Sequence, residues 1–569
     1  MRSIERPRRR LVGIRPGSST GPASKEAEEG RQVAETIFEA FRASVAAAPR
    51  NAFICVPAGT SYASDGLEWT YDEVMQLVAP LAERYRQAGY GLGHRVALLV
   101  ENRPDYFVHL LALNAVGASV VPVNPDHRHA ELLYQMQHSG VVLAVTLRHH
   151  VERLTAVARE LADQFAVVTA EELPERLPSP SRPAASGSLD RTTEAGVFYT
   201  SGTTGRPKGC LVTNDYWLSA GEWFFTLANS GGGFSIEPGT DRLFNPMPVF
   251  HVHAGVVALM PMLLSQGCVI RPEYFSAKRW WNEVSSSRAT IVHYIGAVPQ
   301  ALVALERSAD ERAHKVRFGF GAGMEPAIHR EFEQRFGIPH LEVWGMTEVG
   351  RWTANDHEPR PIGVRAIGRA VAPLQAKVID EDGRDVAAGA EGELVVRLAG
   401  DDPRKGFFAG YLDDEAATEG GWRGGWWHSG DVVRQDEGGI IYFVDRRKNM
   451  IRRSGENIAA TEVETVLCRH PGVAQIAILA VPDEKADEEI FACVVPASGR
   501  TADRVLAHDI VDYCNTQLAY YKAPGWMLFM DRMPVTATQK INKAQIFEPG
   551  LDPRTIVGTI DLRAMKKRR

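Results

Sequence analysis

The sequence predicts an α/β enzyme. Its large N-terminal domain holds two parallel, doubly wound α/β subdomains plus an antiparallel β subdomain, and a small mobile C-terminal α+β domain follows. Three observations carry this. Short apolar runs alternate with helical stretches over the first part of the chain. Near residue 362 the pattern changes to short strands punctuated by glycine. After "DRRKN" (Asp445–Asn449) it changes again, to a smaller set of strands and helices. Strand–helix alternation implies a parallel sheet with helices on its faces.

The alternation starts with a helical stretch from about residue 33. "RVALLV" (Arg95–Val100) reads as a buried strand, and "DYFVHLLALNAVG" as a helix ending at Gly117. "SVVPV", "VVLAVT" and "FAVV" continue the strands, with helices between them. The Pro- and Ser-rich segment Leu173–Asp190 interrupts the pattern as a linker or surface excursion. "AGVF" leads as a strand into "YTSGTTGRPKG" (Tyr199–Gly209). A second alternation follows: "DRLFNPMPVF", the helix "GVVALMPMLLSQG", the strand "ATIVH", then "KVRFGFGAG" and "HLEVWGMTE" as strands running into turns. Ligands of such sheets sit at the carboxyl ends of the strands. Glycine-punctuated strands such as "EGELVVR" mark the antiparallel part, residues 362–444. In the last unit "AQIAILAV" and "IFACVVP" are strands, with helices near Thr461–Arg469 and Asp503–Leu518. The boundaries are then residues 1–32 as a disordered basic tail, 33–447 and 448–549 as the two domains, and 550–569 as a C-terminal tail.

The chain of 569 residues is too long for one compact core. A net charge of −6 argues against a general nucleic-acid binder, and no apolar run is long enough for stable membrane insertion. Six cysteines are scattered without CxxC pairs, which disfavours disulfides or zinc and suggests a reducing cytoplasm. The sequence does not fix an oligomeric state, and a homodimer stands open.

"YTSGTTGRPKG" is not a P-loop, because Pro207 precedes Lys208 and Gly209 follows it. Its glycines let backbone N–H groups converge on an anion, its hydroxyls can donate to phosphate, and Lys208 adds a point charge. A plain Gly-rich loop is the alternative. In "VWGMTE" (Val343–Glu348), Trp344 can stack on a base, Thr347 can bond a phosphate, and Glu348 is a hard oxygen ligand suited to magnesium. Asp431 in "WWHSGDVV" can accept two ribose hydroxyls. "VDRRKNMIRRSGENI" and "PVTATQKINK", which contains Lys540, complete the set.

Five motifs in this order and spacing resemble the adenylate-forming superfamily of acyl-CoA synthetases, luciferases and peptide-synthetase adenylation domains, over residues 33–548. The resemblance implies a phosphate loop of Thr200, Ser201, Gly202, Thr203, Thr204, Gly205 and Lys208. It implies an adenine-side turn at Gly321, Ala322 and Gly323, and a nucleotide and magnesium motif of Trp344, Gly345, Met346, Thr347 and Glu348. Asp431 and Arg446 fall at the ribose, Lys448 at the interdomain hinge, and Lys540 on the lysine that helps form the adenylate. His251 in "MPVFHVHAG" matches a histidine near the acyl site. A zinc reading of His251 and His253 lacks further ligands. Trp344 stands where the family usually has Tyr. Gln539 stands where it usually has Gly before the lysine, which keeps Lys543 as the fallback.

The implied activity uses ATP, Mg2+ and coenzyme A. A small carboxylic acid attacks the α-phosphorus of ATP, pyrophosphate leaves, and a thiol then displaces AMP. Fixed positive charge is the main catalytic device for such a transition state. Arg452, Arg453, Gly455 and Glu456 would line the thiol's entry, with plain surface charge as the alternative for the two arginines. "VDRRKNMIRRSGEN" and "YFSAKRWWNEV" look most like crotonobetaine/carnitine–CoA ligases. That implies a betaine-like acid whose cation Trp217, Trp223, Phe224, Phe225 and Trp352 could cage. An aryl acid, a short- or medium-chain fatty acid, and loading of a separate carrier protein are the alternatives.

Overall fold

In the computed structural model the runs of Val, Ile and Leu assemble into three sheets. Described residues are 34–566 except 201–206, 228–232, 447–448, 454–455, 484–486, 519 and 537–539. The basic N-terminal segment, most of the phosphate loop and the hinge Lys448 therefore lie outside them.

A seven-stranded sheet runs, edge to edge, Gly410–Tyr411, Lys208–Thr213, Glu194–Thr200, Ser119–Pro122, Arg95–Leu99, Leu143–Thr146, Ala166–Thr169. The last five of these are mutually parallel. Arg95–Leu99 and Leu143–Thr146 are almost wholly buried, as strands covered on both faces must be. Local signals set the helix ends. The helix Tyr71–Ala88 opens on a Thr70–Glu73 capping box and closes on Gly89 at φ 96°.

The second sheet has fourteen strands. Its parallel part holds Cys268–Ile270, Arg242–Phe244, Ile291–Ile295, Phe318–Ala322 and His340–Trp344. The antiparallel strands expected as a separate subdomain continue this same sheet. Thr353–Ala354 pairs with His340–Trp344 on one side and Ala366–Ala370 on the other, and Ile441–Arg446 and Trp426–Gln435 follow. This continuity brings Asp431 and Arg446, which are register partners, to the carboxyl end of His340–Trp344.

The third sheet belongs to the C-terminal domain. Val473–Asp483 and Asp487–Pro496 form a long hairpin, and Trp526–Phe529 adds in parallel to the second of them. Residues 550–566 are not a free tail. Ile560–Asp561 pairs with Trp526–Met527, and Leu562 is buried in the core beside Ile510 and Cys514. Beyond it Lys566 Nζ donates to Glu489, whose other oxygen is 3.0 Å from Arg453 Nε. The Lys566 side chain is 3 % exposed, and burial lowers its pKa to about 8. Within this charged segment the apolar Ile560 and Leu562 carry the chain onto the sheet.

Arg365 and Asp445 both reach across to the C-terminal domain. Arg365 donates to Glu325 at 2.9 Å and to Thr465 Oγ1 at 2.7 Å. Asp445 accepts from its neighbour Arg446 N at 2.6 Å and, with its other oxygen, from Thr461 N at 2.8 Å.

Candidate active site

The strand His340–Trp344 ends at the cleft, and Trp344 is its last residue. The Trp344 indole Nε1–H donates to Asp431 Oδ2 at 2.7 Å. Asp431 Oδ1 lies 2.8 Å from Arg446 Nε without the alignment of a hydrogen bond, so this buried oxygen keeps a free acceptor position. Burial raises the Asp431 pKa, and the Arg446 charge and the Trp344 bond pull it back. A carboxylate so placed can accept from a diol. The sequence suggested a stacking role for Trp344, whereas the structure adds a direct bond to the candidate ribose acceptor.

Gly345 must be glycine. An added Cβ would sit 1.7 Å from the Trp352 ring, which crosses its backbone. Thr347 follows, its carbonyl accepting from Tyr216 at 2.9 Å, and then Glu348, 6 % exposed. Tyr411 donates to Glu348 Oε1 at 2.6 Å. Burial nevertheless raises the Glu348 pKa, so this carboxylate is short of positive charge. A divalent cation on a bound nucleotide would supply it, and the hard-oxygen donor fits magnesium. Lys208 lies beneath this corner, 3.1 Å from Asp414 Oδ2 and over the Tyr411 ring at 4.8 Å. Of the phosphate loop, Thr200 and Lys208 are described; Ser201, Gly202, Thr203, Thr204 and Gly205 lie outside the described residues.

Beside the strand His340–Trp344, Gly321 and Gly323 turn out of the neighbouring parallel strand Phe318–Ala322. A Cβ on Gly321 would meet the Tyr294 carbonyl at 1.8 Å, and Gly323 has φ 84°. Glu342 accepts from Gly323 N at 2.6 Å and Met324 N at 3.2 Å, locking the turn. Lys540 comes from the C-terminal domain, in a bridge where Val535 pairs with Ile541. Its residue surface is exposed. Burial first, then the Arg446 charge, lower its pKa, while Glu342 and Asp431 raise it. Lys540 is therefore in the electrostatic field of Asp431 and Arg446. The fallback Lys543 is 2.7 Å from Glu464 and so is held elsewhere.

His251 and His253 lie in the electrostatic field of Lys540. Burial and that charge lower their pKa values to about 4 and about 3, so both are neutral at pH 7. His251 Nε2 is buried without a partner. Of the residues expected at a thiol entry, Arg453 is ion-paired to Glu489, Arg452 and Glu456 lie in the hairpin Met450–Ala459, and Gly455 is outside the described residues. The aromatic set packs on itself. Trp223 meets Phe224 and Trp352 edge to face at 4.9 and 5.0 Å, and its Nε1 donates to the Trp352 carbonyl. Trp217 packs against Phe198, and Phe225 is half-buried.

Sequence reasoning missed Tyr411, Glu342 and Asp445. Only Asp445 had a local signal, its place directly before Arg446.

Comparison with known proteins identifies the family. The family model "AMP-binding enzyme" matches residues 41–412, and "AMP-binding enzyme C-terminal domain" matches 462–540. The chain belongs to the AMP-binding enzyme family. Among curated members, a crotonobetaine/carnitine–CoA ligase of Escherichia coli O45:K1 is 29% identical over 492 residues, 83% of this chain and 92% of that protein. Solved members share the fold. The anthranilate CoA ligase AuaEII with anthranoyl-AMP has a TM-score of 0.76 at 20% identity, covering 90% of this chain and 96% of the other. ATP-bound MatB from Rhodopseudomonas palustris has 0.73 at 24%, covering 87% and 95%. MenE of Bacillus subtilis with ATP and magnesium has 0.73 at 22%, covering 89% and 98%. Like them, this family member is an enzyme with adenylate-forming ligase architecture, and among its described residues no helix is long and apolar enough to cross a membrane.

Proposed function

We propose that the protein is an ATP-dependent acid–CoA ligase. The observation that carries this is the Trp344–Asp431–Arg446 group at the carboxyl end of one sheet, with Lys540 of the C-terminal domain within its electrostatic field. Asp431 holds the ribose through its open oxygen. The turn at Gly321–Gly323 faces the base. Glu348 holds the magnesium of the nucleotide substrate.

In the first step a carboxylate oxygen of the acid bonds to the α-phosphorus, and the bond to the bridging oxygen breaks toward pyrophosphate. Negative charge accumulates at the α-phosphate. Lys540 and Arg446 are fixed charges that neutralise it without reorganising. His251, neutral and half-buried, lines the acid's side of the cleft. In the second step the coenzyme A sulfur bonds to the acyl carbon, AMP departs, and the thiol proton passes to solvent. Lys540 sits on the smaller domain, so a rotation about Lys448 would withdraw it and admit the thiol through the hairpin Met450–Ala459. Arg452, Gly455 and Glu456 then line the approach, and Arg453 holds the hairpin through Glu489. The cysteines, all unpaired, suit a cytoplasmic enzyme.

ATP–pyrophosphate exchange tests the reading. It should require a carboxylic acid and proceed without coenzyme A. Exchange without any acid, or none with a broad panel of acids, would overturn it.

A further inference from the structure

The helix Ala460–Leu467 of the C-terminal domain has no N-cap of its own. Its N-cap position is Ala459, whose side chain carries no acceptor. The large domain supplies one, because Asp445 Oδ2 accepts from Thr461 N at 2.8 Å. One turn further on, Thr465 Oγ1 accepts from Arg365 at 2.7 Å and donates to the Thr461 carbonyl at 2.8 Å. Thr461 and Thr465 are four residues apart, so one face of the helix receives both contacts.

Arg365 is itself firmly held. Phe443 N donates to its carbonyl at 2.8 Å, which ties it to the strand Ile441–Arg446 that bears Asp445 and Arg446. Its Nη2 uses both hydrogens, one on Thr465 and one on Glu325 Oε1 at 2.9 Å. Glu325 comes directly after Gly323 and Met324, whose amides Glu342 holds. A single nitrogen thus bonds the end of the turn at Gly321–Gly323 and the helix of the other domain.

The same helix leads on to Lys540. Glu464 Oε1 accepts from Ile478 N at 2.7 Å and lies 2.7 Å from Lys543 Nζ. Lys543 follows Lys540 by three residues, and the Lys540 carbonyl accepts from Thr536 N at 2.7 Å. Bonded groups therefore run from the turn through Glu325, Arg365 and Thr465 to the helix, and from the helix through Glu464 and Lys543 to the segment that carries Lys540. Lys540 in turn lies in the field of Asp431 and Arg446.

Resting on the ligase reading, we propose that Arg365 is a positioning residue for adenylation. It docks the helix Ala460–Leu467 against the nucleotide-side turn and so sets Lys540 over the α-phosphate. The contact belongs to the first half-reaction and parts when the smaller domain rotates for the second.

Arg365→Met removes both donors and keeps most of the side-chain stem. In single turnovers without coenzyme A, acyl-adenylate formation at saturating ATP should slow about tenfold or more, because a displaced charge loses its effect steeply with distance. The KM for ATP and the thiolation of a supplied acyl-adenylate should stay within about twofold of the parent protein. Thr465→Val removes the acceptor from the other side and should give the same split, and the double variant should be no worse than the poorer single one. In a Lys540→Ala background Arg365→Met should add little, since the group it positions is gone. Unchanged adenylation in both variants, equal loss in the two half-reactions, or the same fold-loss with and without Lys540 would overturn the assignment. Failure of the parent protein to form an acyl-adenylate from any acid would instead overturn the ligase reading beneath it.

Discussion

Trp344→Phe removes one hydrogen bond and leaves most of the ring volume. The lost bond is the 2.7 Å contact from Nε1 to Asp431 Oδ2. Asp431 is 1 % exposed, so water cannot readily replace it. A hydrogen bond to a charged group contributes about 1.5–3 kcal/mol, which is roughly 10- to 150-fold in an equilibrium constant. Arg446 keeps its place on the other oxygen, which favours the lower end of that range. The KM for ATP should therefore rise about tenfold, with a smaller change in kcat. Discrimination against 2′- and 3′-deoxy-ATP should fall, because Asp431 loses its orientation. The Trp344 bond lowers the Asp431 pKa, so its loss raises that pKa further and should move the acid limb of kcat/KM for ATP to higher pH. Steady-state pyrophosphate release at varied ATP and pH measures all three. An unchanged KM for ATP with an unmoved acid limb would refute the reasoning and reduce Trp344 to packing.

Lys540→Ala should lower acid-dependent adenylation by two or more orders of magnitude, as loss of a fixed transition-state charge does, roughly 100-fold or more. It should largely spare thiolation of a supplied acyl-adenylate, and equal loss in both half-reactions would count against the swinging-domain step. His251 and His253 titrate at about 4 and about 3 against an ordinary 6.5, so their neutral forms stabilise the fold above pH 6.5. That contribution is lost as pH falls through 4 to 3, and a melting curve between pH 7 and 4 should show Tm falling. Lys566→Met leaves Glu489, 1 % exposed, with Arg453 alone, and should destabilise the C-terminal domain by about 2 kcal/mol or more in urea melts. Unchanged stability would show that the last strand is not held by this pair.

The parallel strands were legible because burial on both faces leaves near-continuous apolar runs, as in Arg95–Leu99. The site motifs were legible because each lies within a few residues of chain. Asp431 and Arg446 were both found, but their meeting with Trp344 depends on sheet continuity through the two-residue strand Thr353–Ala354, too short to announce itself. Tyr411 and Glu342 were missed because they touch the site only through hydrogen bonds formed across the fold. The last strand was missed because Ile560 and Leu562 are two apolar residues in a charged segment. Trp217, Trp223, Phe224 and Trp352, suggested as part of a cage, pack against other rings, and composition cannot tell rings that surround a ligand from rings that pack on each other.

The central claim is that this cleft joins an acid to AMP before any thiol arrives. A single-turnover reaction with enzyme in excess, ATP, magnesium and one active acid, quenched without coenzyme A, tests it by mass spectrometry. One acyl-adenylate and one pyrophosphate should form per ATP consumed, and adding coenzyme A should convert the adenylate to acyl-CoA and AMP. ADP or an acyl phosphate among the products, or acyl-CoA formed with no adenylate beforehand, would contradict it.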